Sequence, residues 1–236
     1  MGEHRTTYRI SALSCYAERI LEHYTQGTVH SVYRKTVNLA FGRQILALQA
    51  KDSPLSPLSL ILPLTESEMA ELPVSEDMDV YIKDGCLELG YRFSFAHSRK
   101  YELELSGSLG PSALSSLKRN IEAAVDNAPS GGMSLMFRSR KTDLPLIFYA
   151  AEKLIEQCRK IFPGRKKEAA ARDLSRLLGL GIGLTPSGDD FLCGILAGLI
   201  LTGQDNTPFA AELKKAIAEN LEDTVDISAA FLSCAL

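Results

Sequence analysis

No two of the five cysteines (Cys15, Cys86, Cys158, Cys193 and Cys234) stand in a CxxC pair, and their number is odd. That spacing is wrong for a zinc site and argues against a disulfide framework, so a reducing cytoplasm is the expected setting. The four histidines, His4, His23, His30 and His97, form no pair at metal-ligand spacing. Excess positive charge is also missing. Lys and Arg number 26 against 29 Asp and Glu, a net charge of -3. Bulk attraction to a nucleic acid or an anionic membrane is therefore not expected. The densest basic cluster, Arg165-Lys166-Lys167, is short and reads as a solvated helix start. Long apolar runs are absent too. The longest, Phe191 to Leu201, is roughly half of the ~20 residues a membrane span needs and reads as a buried helix. No h-region follows the N-terminus, so no signal peptide is expected. Internal repeats and low-complexity segments are lacking.

What is present is an ordinary globular composition: 236 residues, 45% hydrophobic and 23% charged. Such a chain can bury one large core or two small ones. Ile10 to Tyr24 carries Ile10, Leu13, Ala17, Ile20, Leu21 and Tyr24 at helical spacing, and Gly27 closes the segment. From Val29 to about Leu105 short β-branched and aromatic runs alternate with turn formers. Strands are expected at 31–33, 36–39, 44–48, 58–62, 80–82, 87–89 and 101–105. Lys83-Asp84-Gly85-Cys86 is a tight-turn signal, and Thr65 with Glu68 forms a capping box for a short helix over 65–72.

From Pro111 onward the pattern is helical. Helices are expected over 111–127, 144–162, 166–178, 191–201, 208–220 and from 226 to the end. Pro163-Gly164 stops the second of these, and Gly179 is placed as the C′ residue of the third. The fold class is α+β: an antiparallel β-rich subdomain over 1–110, a sheet or partly closed barrel, then a helical subdomain over 111–236.

Chemistry concentrates in one stretch. Gly179-Leu180-Gly181-Ile182-Gly183 runs into Thr185-Pro186-Ser187-Gly188-Asp189-Asp190 and then into Phe191. Thr185 is placed as an N-cap and Pro186 as the first helical residue. The N–H groups of Ser187, Gly188 and Asp189 are then expected to lack acceptors and to point outward, an end that attracts small anions. A Rossmann fingerprint is excluded because helix, not strand, precedes the glycines, and a P-loop is excluded because its lysine is missing.

The two carboxylates would repel a phosphate. They could instead hold a divalent cation such as Mg²⁺, accept from a ligand amide, or cap backbone groups with no ligand at all. Adjacent helical residues point about 100° apart, so at most one of them faces any given pocket atom. The plainer reading is a helix-to-helix connection, although the run exceeds the ~2–8 residues such a connection needs.

The block from Gly181 to Gly194 resembles the signature of the AllH-like proteins, a family associated with a subunit of oxamate carbamoyltransferase. The runs Val29–Tyr33, Val37–Leu39 and Ile45–Leu48 agree more loosely. The resemblance implies transfer of a carbamoyl group between carbamoyl phosphate and the amide nitrogen of oxamate, in allantoin catabolism, by several subunits together. A small anion and other subunits are the partners it implies. Carbamoyl transfer needs an anion cradle and oxyanion donors. Amides from Gly181, Gly183 and Gly188 could serve, with hydroxyls from Thr185 and Ser187. Asp189 or Asp190 could take the amide proton. A second family block, Gly-His-Ser/Thr-Ser-Gly-x-Asp, is not found here, and the last segment reads as a helix without an exit turn, so the C-terminal end is expected to be missing.

His30, in a strand-like run, is kept as a substrate-binding candidate by the resemblance alone; the ordinary role is structural. Arg138 and Arg140 are candidates for clamping a carboxylate or phosphate, against the ordinary role of surface arginines. Cys193 reads as a packing cysteine. The loop Ser130–Ser134 could fold over the glycine-rich run. The ligand site is expected at the start of the helix that contains Phe191, close to the sheet. Beside the carbamoyltransferase, a non-catalytic binding or assembly subunit and a metal-assisted phosphate-transferring enzyme remain open.

Overall fold

The computed structural model describes residues 7–127, 131–138, 144–161 and 167–236. The expected stop at Pro163-Gly164, the basic pair Arg165-Lys166 and Arg140 lie outside the described residues. The chain divides into two compact units, Met1–Glu104 and Leu105–Leu236.

The first unit is a ten-stranded sheet. Its elements are β1 (Thr7–Arg9), β2 (Ala12–Ser14), α1 (Cys15–His23), β3 (Gln26–Tyr33), β4 (Thr36–Phe41), β5 (Gln44–Gln49), β6 (Ser59–Ile61), α2 (Glu66–Ala70), β7 (Asp79–Lys83), β8 (Cys86–Leu89), β9 (Tyr91–Ser94) and β10 (Arg99–Tyr101). The order across the sheet is β1-β9-β8-β7-β3-β4-β5-β6-β2-β10. β1 lies at one end and β2 beside the other, yet only Ile10 and Ser11 separate them. The Ile10 N–H donates to the Ser94 carbonyl, and the Arg99 N–H to that of Ser11. The sheet therefore curls, and its two ends are tied together, which protects strand edges that would otherwise invite pairing with another chain. The expected antiparallel character holds for most pairings, but β1–β9, β2–β10 and β5–β6 run parallel. These parallel pairs join segments distant in the chain or linked by a long crossover, and no local turn signal announces them.

Local signals explain much of the rest. Asp84 and Gly85 sit at φ 50° and 70° between β7 and β8, the two positive angles that a two-residue hairpin turn requires. The Thr65–Glu68 capping box forms as expected. The leading helix is shorter than its periodicity suggested. Ile10 precedes β2 and Leu13 lies within it; α1 begins only after Ser14, whose Oγ accepts from the Ala17 N–H at 2.8 Å. A serine N-cap outweighed the apolar spacing. Gly27 does not end the helix but lies in β3, where a Cβ would stand 2.3 Å from the Ala40 carbonyl oxygen. Strand and helix residues share one core: Leu39, Phe41, Leu46, Leu48, Leu60 and Phe93 are fully buried together with Ala17 and Leu21 of α1. Each large side chain so buried contributes about 1.5–3 kcal/mol.

The second unit is helical: α3 (Pro111–Asn127), a 3₁₀ segment (Gly132–Phe137), α4 (Leu146–Ile161), α5 (Lys167–Ser175), α6 (Ser187–Leu201), α7 (Pro208–Ala218), a 3₁₀ turn (Leu221–Asp223) and α8 (Asp226–Ala235). Its core joins Leu174 of α5, Leu192 and Leu196 of α6, Leu213 and Ile217 of α7 and Leu232 of α8. α6 is apolar on nearly every side, but beyond its first turn only one face, Leu192, Leu196 and Leu199, is fully buried, so the expected buried helix is only partly enclosed. The stripe of α3, Leu114, Leu117, Ile121 and Val125, has the expected spacing but buries no residue fully.

Ser14 is fully buried and donates to the Pro57 carbonyl while capping α1. Replacing it with alanine removes both contacts and is expected to cost about 1–3 kcal/mol of unfolding free energy, read from urea titration.

Candidate functional site

The glycine-rich run forms a turn between α5 and α6. After Ser175 the chain tightens through i→i−3 bonds, Leu177 N–H to Leu174, Leu178 to Ser175 and Leu180 to Leu177. Gly179 then adopts φ 71°. The turn lies close against the first residues of α6. A Cβ on Gly188 would stand 2.0 Å from the Leu177 carbonyl oxygen, and one on Gly181 would stand 2.7 Å from the Ser187 nitrogen. Only residues without a side chain allow those backbones to meet. Gly183, at φ 109°, has nothing near it and faces open space.

The helix start differs from the expected one. α6 begins at Ser187 with Pro186 as its cap residue, and no side chain caps it; Thr185 is exposed. The Gly188 N–H donates to the Leu180 carbonyl at 2.8 Å and the Asp189 N–H to that of Pro186 at 2.9 Å. Two of the three amides expected to point outward are thus used inside the protein. The turn doubles back far enough to bring Leu180 over the helix end, which spacing alone does not show. Among the described residues the Ser187 N–H and hydroxyl have no hydrogen-bond partner.

The adjacent aspartates have separate surroundings. Asp189 is 1% exposed. Its Oδ1 accepts from the Gly179 N–H at 2.8 Å, and its Oδ2 accepts from the hydroxyls of Thr224, at 2.5 Å, and Ser228, at 2.6 Å. One carboxylate therefore ties together the turn, the start of α6 and the start of α8. Asp190 points to the open side and has no side-chain hydrogen bond among the described residues. Partial burial against the helix, and then the charge of Asp189, push its carboxyl above the usual range. The Cys193 thiol is pushed up to about 11 by burial, with Asp190, Asp189 and Cys234 adding to it, so it stays protonated and inert at neutral pH.

Of the loop expected to fold over the turn, Ser130 lies outside the described residues, and the described part does approach it. A Cβ on Gly132 would stand 2.4 Å from the Ser187 Oγ, and the Phe137 ring stacks on Phe191 at 5.5 Å. The loop is a 3₁₀ segment rather than an irregular linker, and Arg138 follows it, half-buried. Behind the aromatic pair lies a cavity of about 590 Å³ bounded by Ile155, Cys158, Ala170, Leu174 and Ile195. Its lining is apolar apart from Arg159, which suits no small polar acid.

His30 belongs to the first unit, at a β-bulge between Val29 and Ser31. Its Nδ1 lies 3.0 Å from the Ser31 Oγ, which also accepts from Asn38 Nδ2 at 2.9 Å. Among the described residues no three His, Cys, Asp or Glu side chains are grouped to hold a metal ion, and no helix is long and apolar enough to cross a membrane.

With this geometry in place, family comparison is decisive. Residues 8–108 match the AllH family N-terminal domain, and residues 177–236 match oxamate carbamoyltransferase subunit AllH. The chain belongs to the AllH family. The second match begins at Leu177, so it contains the whole turn, both aspartates and the Thr224 and Ser228 hydroxyls. The family description is that of a subunit, which implies a multi-subunit assembly. No curated protein and no solved structure matches the chain. Thr224 and Ser228 are the residues that sequence reasoning missed. They lie 35 and 39 positions beyond Asp189, and nothing local marks a threonine or serine as the partner of a distant carboxylate.

The divided aspartates have two testable consequences. Asp189→Ala strands one amide and two hydroxyls, and is expected to cost about 3 kcal/mol or more in urea unfolding. For Asp190 the raised carboxyl favours the neutral form in the folded state. The stability it contributes is full below the ordinary carboxylate range, about 4, and is lost as pH rises through the raised value. Asp190→Asn is therefore expected to be more stable than the unaltered protein at pH 7 and equal to it near pH 3; melting curves at the two pH values check the sign.

Proposed function

We propose that the chain acts as a subunit in carbamoyl transfer between carbamoyl phosphate and oxamate, giving oxalurate and phosphate, within allantoin catabolism. The supporting observation is a set of polar groups at the start of α6 without a hydrogen-bond partner among the described residues: the Ser187 N–H and hydroxyl, against which Gly181 and Gly132 pack, and the exposed Asp190 carboxyl. Family membership supplies the reaction class.

In this reading the oxamate amide nitrogen attacks the carbamoyl carbon. A C–N bond forms, the C–O bond to phosphate breaks, and the amide proton passes to Asp190. A carboxylate held above its usual range is a better proton acceptor than an ordinary one. The Ser187 N–H and the hydroxyls of Ser187 and Thr185 donate to the oxyanion that develops on the carbamoyl carbonyl. Gly183, with open space beside it, lets the ligand approach the backbone. Arg138 is the candidate to hold the oxamate carboxylate or the phosphate, offsetting the repulsion from Asp190. Asp189 takes no part in the proton transfer; it fixes the turn. Gly181 and Gly188 serve by permitting close packing.

The test is phosphate-dependent cleavage of oxalurate by the chain together with the other subunits of the assembly. Asp190→Asn is expected to lower kcat by about 10²–10⁴-fold, the usual contribution of a general base, with the assembly intact. Unchanged turnover would remove Asp190 from the chemistry. Oxamate binding in calorimetry without turnover in any mixture would leave a binding subunit instead.

A further inference from the structure

The outer surface of the same turn carries a second feature. Ile182 is 96% exposed, and Leu184 is 46% exposed. Single exposed hydrophobes are common and need no explanation. This one stands on a backbone fixed from three sides: the Gly188 N–H bonds the Leu180 carbonyl, the Gly179 N–H bonds Asp189, and Gly181 abuts Ser187. A β-branched side chain thus follows directly on the anchored stretch 179–181, between two glycines at positive φ. Between Arg176 and Asp189 the chain has no charged residue. The segment that abuts Gly179 is Asp223–Thr224, and exposed Glu222, Asp223 and Asp226 surround Val225 there, so the uncharged apolar projection is the turn itself. Such a projection has the character of an interface centre, where charged residues are depleted and a few anchors carry the energy.

We propose that this turn docks a different subunit of the assembly, with Ile182 entering an uncharged apolar socket on that chain. The proposal rests on the family being that of a subunit and not on the chemistry assigned to Asp190. A second copy of this chain is the poorer occupant. A twofold contact places the same surface against itself. That would bring the exposed Asp190, Glu222, Asp223 and Asp226 of each copy toward one another, with no positive charge in the turn to offset them. A different chain meets no such constraint, and its docking would cover the side of Ser187 and Asp190 facing the turn.

The experiment places a photo-crosslinking amino acid at position 182 of the full chain in its native cells, with the same group at exposed Glu219 as reference. The expected result is a covalent adduct at 182, absent at 219, to a distinct chain that mass spectrometry identifies as a carbamoyltransferase subunit. Ile182→Asp should reduce co-purification of that subunit about tenfold or more, the scale of one buried isoleucine, with unchanged melting. Ile182→Leu should restore it. An adduct to another copy of this chain, no adduct, or equal labelling at 219 overturns the proposal. Because the adduct forms whether or not oxalurate is turned over, failure of docking and failure of the proposed reaction are told apart.

Discussion

The helical unit depends on one buried carboxylate. Asp189 is enclosed in an apolar interior without a paired cation in any described contact, and an uncompensated charge there would be costly. Three donors compensate it: a backbone amide from the turn and two hydroxyls from the beginning of α8. Its own place in the first turn of α6 adds the favourable end of the helix dipole. The arrangement is mutually dependent, since without the carboxylate the buried Ser228 hydroxyl and the half-buried Gly179 amide and Thr224 hydroxyl would lose their acceptor. It explains how a glycine-rich segment, the most flexible backbone in the sequence, holds a defined shape. Glycine supplies the conformations and the close approaches, and Asp189 selects one of them.

The neighbouring residue illustrates how helix geometry separates roles. One position along α6 rotates a side chain by about 100°. That turns Asp189 toward α8 and Asp190 toward the open side. Identical chemistry in adjacent positions thus yields a satisfied acceptor that orders the site and an unsatisfied one that can meet a ligand. The unsatisfied carboxyl is pushed upward by its surroundings, so it is held at a cost to the fold. Costs of this kind concentrate where a residue serves something other than stability.

Legibility from sequence tracks the range of the interaction. The capping box at Thr65 and Glu68, the Asp84-Gly85 hairpin and the starts of α3, α7 and α8 depend on residues within a few positions, and their signals were readable. The first helix was overextended because Ile10 and Leu13 happen to match a helical period, whereas the Ser14 cap and the pairing of β2 with β6 determine the outcome. β1 went unseen because its partner, β9, lies more than eighty residues further along the chain. At the glycine-rich turn, residue types marked the segment that Asp189 ties to α8. Which amides stay open did not emerge, since that depends on Leu180 returning over the helix end. Nor did the pairing of Asp189 with Thr224 and Ser228, which requires α8 to be docked.

The turn therefore has two surfaces with different compositions for a physical reason. On the inside, backbone meets backbone or carboxylate while Leu180 packs on the core, and glycine is required at Gly181 and Gly188. On the outside no contact restrains residue choice, yet Ile182 and Leu184 occupy positions where a polar residue would be better solvated. Stability does not call for an isoleucine at 96% exposure; water penalises it in the isolated chain. The penalty is recovered only if something apolar covers the side chain. The same buried carboxylate that orders the start of α6 thus also anchors the turn that we propose docks a partner subunit.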